Sequence, residues 1–328
     1  MKKFLIIQTA FTGDVILATA VVEKLHRTHP TAQIDFMLRK GNEGLLEHHP
    51  FIKNVLVWDK MQGKYSHLLK LLKQVRATQY DAVINLQRFA SSGFVTAFSN
   101  AKEKIGFDKN PFSFLFTKIV KHQLDGRHEV ARNLELISHL TDIEFQKPVL
   151  YPSAHDEEIV KSFTQHINPY MVFAPASVWF TKQLPIGQWA KLAAKLAGHY
   201  TIILIGGPAD EPLCHEIVNL EPQYSAKFLV LAGKLNYLQS AALIKGAAMT
   251  YVNDSAPLHM ASAMNAPVTA FFCSTVPQFG FTPLSDVTKI IERGEPLACR
   301  PCGLHGYKEC PQGHFKCALD INITEAVI

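Results

Sequence analysis

The chain has 328 residues, 48% of them hydrophobic and 19% charged, which excludes a disordered or fibrous protein and leaves room for two domains of ~150 residues. No uninterrupted apolar run approaches the ~18 residues that a membrane-spanning helix needs. The net charge of +5 is uneven: residues 1–150 hold 21 Lys and Arg against 14 Asp and Glu, while residues 151–328 hold 12 against 14. That surplus fits either a solvated surface or an anionic partner on the first half, and no recognition motif points to nucleic acid.

Lys2 and Lys3 ahead of Phe4-Leu5-Ile6-Ile7 look superficially like a secretory signal. Gln8, Thr9, Thr12, Gly13 and Asp14 break the apolar core, so a buried first strand is expected instead. A cytoplasmic chain with six reduced cysteines follows from that reading. Further strands are predicted at 34–38, 55–58 and 82–86, with helical spacing at Val15, Ala18, Val22 and Leu25, and again at Leu68, Leu69, Leu72 and Val75. Residues 107–127 show no clear period, and 128–140 return to a helical pattern. A linker is expected from Gln146 to Ser153, which contains Pro148 and Pro152, giving domains 1–148 and 149–328.

The second half repeats the rhythm. Strands are predicted at 171–174, 201–205, 228–231, 249–252 and 268–272, with helices at 186–198, 237–247 and 255–265. The class is therefore α/β, with two parallel sheets and an expected cleft between the two units. Ligands of such sheets bind beyond the carboxyl ends of the strands, so the loops after strands carry the functional search.

Four such loops stand out. Thr12-Gly13-Asp14 places a carboxylate at a helix entrance, where it can cap the helix or act as a general base on a hydroxyl. The glycine-rich dinucleotide fingerprint is missing there, which counts against a nicotinamide enzyme. The loop after strand 171–174 carries Ser177, Thr181 and Lys182, two hydroxyls and a cation suited to phosphate oxygens; an exposed lysine is the plainer alternative. Gly206 and Gly207 permit close backbone approach, and Glu211 can accept from a ribose diol or simply favour a helix start. Asn253-Asp254-Ser255-Ala256-Pro257 leads into a helix with Asp254 expected as its N-cap, aiming a partial positive charge at an anion, with His259 either assisting or packed inside.

The Thr12-Gly13-Asp14 turn, Lys182 ahead of Leu184-Pro185, and Asn253-Asp254-Ser255-x-Pro257-x-His259 together resemble the ADP-heptose:lipopolysaccharide heptosyltransferases, glycosyltransferase family nine. The likeness runs over nearly the whole chain in order. It implies the GT-B fold, two Rossmann-like domains with the acceptor domain first and the nucleotide-sugar domain second. It further implies an inverting transfer of heptose from ADP-heptose to the Kdo-containing inner core of lipopolysaccharide, at the inner face of the inner membrane. By position, Asp14 matches the catalytic base, Lys182 the phosphate lysine, and 254–257 the amides around the diphosphate, with Glu211 at the ribose. Many members carry Gly where this chain has Ala256, and Pro257 offers no N–H, so fewer amides reach the phosphates. His128 and Arg132 match a recurrent family segment and are taken as acceptor contacts. The anionic acceptor gives the basic first half a purpose. No Asp-x-Asp motif is present, so the leaving diphosphate is expected to be stabilised by Lys182 and a helix N-terminus, with no cofactor needed for the transfer.

Cys299, Cys302, Cys310 and Cys317 fall close together near His305 and His314, in a spacing unlike a standard zinc ribbon. A structural zinc ion and free thiols are both open readings, while Cys214 and Cys273 are expected in the core. Two competing functions remain: transfer of another nucleotide-diphosphate sugar into surface polysaccharide, and a non-catalytic nucleotide-sugar-binding protein, against which Asp14 argues.

Overall fold

The computed structural model describes residues 1–61, 63–167 and 169–327. The chain divides into two units, Met1–Tyr151 and Pro152–Ile328. The division falls three residues beyond the expected 148/149 because the linker's first residues belong to the first unit. Val149 N donates to Thr19 Oγ1 at 3.0 Å, and Tyr151 OH donates to Glu23 Oε1 at 3.0 Å.

Unit 1 runs β1 (Lys3–Ile7), α1 (Thr12–Thr28), β2 (Gln33–Arg39), β3 (Ile52–Trp58), α2 (Lys64–Thr78), β4 (Ala82–Asn85), α3 (Ala90–Ala97), β5 (Glu103–Phe107), β6 (Lys118–Val120) and α4 (Glu129–Glu135). Its six parallel strands lie in the order β3-β2-β1-β4-β5-β6. The Phe4–Ile7 run that opens the chain is the central strand, buried on both faces. A continuous apolar run is what a parallel strand covered on two sides requires.

Unit 2 runs α5 (Ala154–Thr164), β7 (Tyr170–Ala174), α6 (Ile186–Leu196), β8 (Thr201–Leu204), α7 (Glu211–Asn219), β9 (Phe228–Val230), α8 (Tyr237–Lys245), β10 (Met249–Asn253), α9 (Ala256–Ala263), β11 (Val268–Phe272), β12 (Thr288–Glu292) and α10 (Lys316–Leu319). Its parallel sheet is ordered β12-β11-β10-β7-β8-β9, the same 3-2-1-4-5-6 sequence as unit 1 when counted from its own first strand. Trp189 on α6 anchors one face, with ring centroids 5.2 Å from Phe173 and 5.3 Å from Phe271. In both units the strand order reverses beside the first strand. Loops leaving β1 and β4, and those leaving β7 and β10, therefore open at the crevice such sheets use for ligands.

The strands β1–β4 and β7–β11 lie where their apolar runs put them. β5, β6 and β12 carry weaker patterns. β5 opens on Glu103-Lys104, and the edge strands β6 and β12 bury only Val120 and Ile291. The helix expected over 128–140 is shorter, with turns following Glu135. Among the described residues no helix is long and apolar enough to cross a membrane.

Candidate functional site

In unit 1, Asp14 lies in the first turn of α1, and its Oδ2 accepts from Phe11 N at 3.2 Å. It thus completes the helix start, and it also faces the carboxyl end of β1. The side chain is only partly exposed. Desolvation, reinforced by the negative charge of Glu129, lifts its pKa to about 6, against the pull of the Phe11 amide and the Arg88 charge. A carboxyl poised there is basic enough to take a proton and still ionised near neutral pH. Thr12 Oγ1 donates to Asn42 Oδ1 at 3.1 Å, and Asn42 Nδ2 donates to Ala10 O at 3.3 Å, which fixes the turn that carries Gly13 and Asp14.

His128 and Arg132 belong to the start of α4, which packs on α1. His128 Nδ1 accepts from Val130 N at 3.1 Å as the helix cap. Arg132 is enclosed, at 1% exposure, and its guanidinium reaches Glu129 at 2.7 Å and 2.9 Å. That burial leaves Arg132 holding Glu129 in place under α1 rather than presenting a cation at the surface, as a direct acceptor contact would require. Arg88, in the loop after β4, is the exposed cation whose charge acts on Asp14. A lone arginine after a strand carries no motif, so nothing in the sequence marks it.

In unit 2 the chemistry gathers on the adjacent strands β7 and β10. Lys182 Nζ stands 2.7 Å from Asp254 Oδ2, with 15% and 9% of the two side chains exposed. Thr275 Oγ1 donates to the same carboxylate oxygen at 2.7 Å. Asp254 was expected as the cap of α9. The cap position is instead Ser255, and no side chain caps that helix. The Asp254 carboxylate is engaged by Lys182, which explains the difference. Ser255 and Ala256 begin α9 and Pro257 occupies its first turn, so the helix start points its amides beside the ammonium.

Asn253 ties these loops together. Fully buried, it accepts from Leu184 N at 2.9 Å through Oδ1 and donates to Pro175 O at 2.7 Å through Nδ2. It sat inside the recognised motif without a role, and the two backbone partners supply one. Thr181, expected as a phosphate hydroxyl, is 1% exposed and committed internally. Its Oγ1 accepts from Tyr307 N at 2.8 Å and from Ser274 Oγ at 3.0 Å, while its N donates to Tyr307 O at 3.1 Å. Gly306, at φ +77°, lets this contact form; a Cβ there would stand 2.8 Å from Thr181 Oγ1 and 3.1 Å from Lys182 Cγ. Ser177 is half-buried, and its carbonyl accepts from Gln183 Nε2 at 2.6 Å.

The remaining expected donor residues are more dispersed. Gly206 is required by Asp210, whose Cβ would meet an added Cβ at 2.7 Å, and Gly207 N donates to Asp210 Oδ2 at 2.8 Å. Glu211 starts α7 in the open, 3.9 Å from His215 Nε2. His259 is 5% exposed within α9, its ring 6.3 Å from Phe281, which is the packed alternative. Cys214 and Cys273 are buried in the core as expected, and burial pushes the Cys214 thiol up to about 12. Cys299, Cys302, Cys310 and Cys317 line one cavity of about 260 Å³ together with His314. Among the described residues, however, no three His, Cys, Asp or Glu side chains are gathered so that they could hold a metal ion.

Comparison with known proteins places this chain in a family. The model for glycosyltransferase family 9 (heptosyltransferase) matches residues 68–306. A lipooligosaccharide heptosyltransferase 2 of Haemophilus influenzae is 29% identical over 315 residues, 90% of each chain. A lipopolysaccharide heptosyltransferase 3 of Escherichia coli is 27% identical, covering 81% of this chain and 82% of its own. The structure of E. coli ADP-heptose lipopolysaccharide heptosyltransferase II superposes with TM-score 0.78 at 21% identity over 100% of both chains. The chain is thus a glycosyltransferase of the GT-B fold and belongs to glycosyltransferase family 9, the heptosyltransferases.

Proposed function

We propose that the protein transfers heptose from ADP-heptose to the Kdo-containing inner core of lipopolysaccharide with inversion at the anomeric carbon. The observation that carries the reading is the Lys182 ammonium held by Asp254 at the start of α9, a fixed cation beside a helix N-terminus. An acceptor hydroxyl attacks the anomeric carbon and the carbon–oxygen bond to the diphosphate breaks. The hydroxyl proton passes to Asp14 as ADP departs. A positioned base contributes ~10²–10⁴ in rate. The negative charge growing on the diphosphate is met by Lys182 and the Ser255 and Ala256 amides, donors that need no reorganisation.

Asp254 serves this scheme as a positioning group, since a carboxylate facing phosphates would repel them. Thr12, Gly13, Ser177, Gly206, Gly207 and Glu211 complete the donor and turn surfaces in this reading. Arg88, His128 and the basic first unit receive the anionic acceptor, whose lipid brings the enzyme to the inner face of the inner membrane as a peripheral protein. Relatives named for lipopolysaccharide and lipooligosaccharide support this choice of acceptor over another surface polysaccharide. Calorimetry with ADP-heptose, followed by transfer to a Kdo-bearing acceptor and assignment of the product's anomeric configuration, tests the proposal. Retention of configuration, or no turnover with ADP-heptose, would overturn it.

We also propose the four C-terminal thiols as ligands of a structural zinc ion, on the support that all four share one cavity. As placed they do not converge on an ion, so binding must draw them together. Metal analysis of the purified protein is expected to return one zinc per chain, and its absence ends this reading.

A further inference from the structure

The catalytic scheme leaves one large feature of unit 1 unused. A cavity of about 700 Å³ opens at the carboxyl ends of β1, β3 and β4, the same sheet end that carries Asp14. Trp58, Lys60, Tyr65, Leu69, Phe89 and Phe94 line it. Its volume is that of a small-molecule pocket, ~300–1,000 Å³, and its walls are mostly hydrocarbon and aromatic rings. Three of its large apolar side chains remain exposed: Tyr65 at 72%, Leu69 at 56% and Phe89 at 68%. Large apolar side chains left open around one cavity mark a binding surface rather than a core.

The charge around the cavity selects the occupant. From Lys60 to Tyr80 the chain carries four lysines and one arginine and no Asp or Glu. Lys60 Nζ lies 4.6 Å from the Trp58 ring and donates to Thr9 O at 3.2 Å, so a cation sits on the cavity wall next to the turn of Asp14. α2 buries Leu68, Leu71, Leu72 and Val75 against the sheet and exposes Lys70, Lys73 and Arg76. An apolar cavity with the Lys60 ammonium in its wall and no Asp or Glu among its lining residues suits an amphiphile whose chain is hydrocarbon and whose head is anionic.

We propose that this cavity binds an acyl chain of the anionic lipid that carries the sugar acceptor, with Lys60 beside its head group. The inference rests on the lipid-linked acceptor of the proposed function and adds to it a seat for the hydrocarbon end. Each buried methylene strengthens such binding about fourfold. The lipid end, once seated, holds the acceptor on the side of the sheet where Asp14 waits.

The test needs neither donor nor sugar acceptor, so its failure is separable from failure of the transfer reaction. The full chain is titrated with a single-chain lysophosphatidylglycerol brominated on its acyl chain, below its micellar concentration, while tryptophan fluorescence is read. The chain has three tryptophans, and Trp58 alone among them lines the cavity. Saturable quenching is expected, abolished in Trp58→Phe and shifted at least tenfold to higher lipid in Leu69→Glu. Leu69 is exposed, so that substitution leaves the core intact. Chainless glycerophosphoglycerol is expected not to compete, and brominated lysophosphatidylcholine to bind several-fold more weakly. Quenching that survives in Trp58→Phe, fails to saturate, or is indifferent to Leu69→Glu would overturn the proposal.

Discussion

The two units share one strand order and differ in how their ligand-facing ends are finished. Unit 2 closes its loops with internal polar bonds: Asn253 to Leu184 and Pro175, Thr181 to Tyr307, Asp254 to Lys182 and Thr275. Unit 1 finishes with a single carboxyl held near pKa 6, an exposed arginine and an aromatic cavity lined by side chains in the open. The contrast fits the two ligands of the proposed reaction. A nucleotide diphosphate of fixed shape favours a preorganised cradle, whereas a large anionic lipid favours a broad surface with a few anchors.

Breaking the base should have the largest effect. Asp14→Asn is expected to lower kcat by ~10²–10⁴ while ADP affinity stays near its original value, measured by initial rates and calorimetry. Near-normal turnover would remove Asp14 from the mechanism. The acid limb of kcat/KM should fall below pH about 6, because the base must be ionised. The stability consequence has the opposite sense. A carboxyl whose pKa is raised in the fold favours the protonated native state, so its stabilisation is full below its ordinary value and lost as pH rises to about 6. At pH 7 the Asn variant should therefore be more stable than the parent, by about 1–3 kcal/mol in denaturant titration.

The buried ion pair beneath that base comes next. Arg132→Met leaves Glu129 charged and enclosed, and a loss of about 3–5 kcal/mol is expected by chemical denaturation. An unchanged midpoint would show that Arg132 is not the clamp described above. In unit 2, Lys182→Ala should weaken ADP binding about tenfold to a hundredfold, the worth of ~1.5–3 kcal/mol for a hydrogen bond to a charged group. Unchanged affinity by calorimetry would contradict its phosphate role. Asn253→Ala orphans the Leu184 amide and the Pro175 carbonyl, so a loss of about 1–3 kcal/mol in stability is expected, with a weaker ADP affinity accompanying it. Glu211→Ala should be the mildest, below about threefold in ADP affinity, because the carboxylate is exposed and surface pairs contribute ~0–1 kcal/mol.

Much of the fold was legible because parallel strands buried on two faces read as apolar runs; among the described residues nine of twelve strands carried such a run, including the half-buried edge strands β3 and β9. The edge strands β6 and β12 escaped, since each buries a single residue and carries little hydrophobic signal. At the site, Asp14, Lys182 and Asp254 were visible as charged groups at strand ends. The division of labour among them was not. Thr181 and Ser177 read alike as hydroxyls in a loop, and only the contact with Tyr307, 126 residues away, assigns Thr181 to the scaffold. Asp254 read as a helix cap because its position suited one, and a lysine 72 positions upstream claims its carboxylate instead. Long-range partners of this kind leave no trace in local spacing.

The bond between Thr181 and Tyr307 also bears on when the enzyme becomes competent. During synthesis, β7 and the Lys182 loop leave the ribosome long before the segment that braces them. The Lys182 loop of unit 2 therefore stays unbraced until Tyr307, 126 residues later, has followed it out, and chains released before that point should lack the fixed loop.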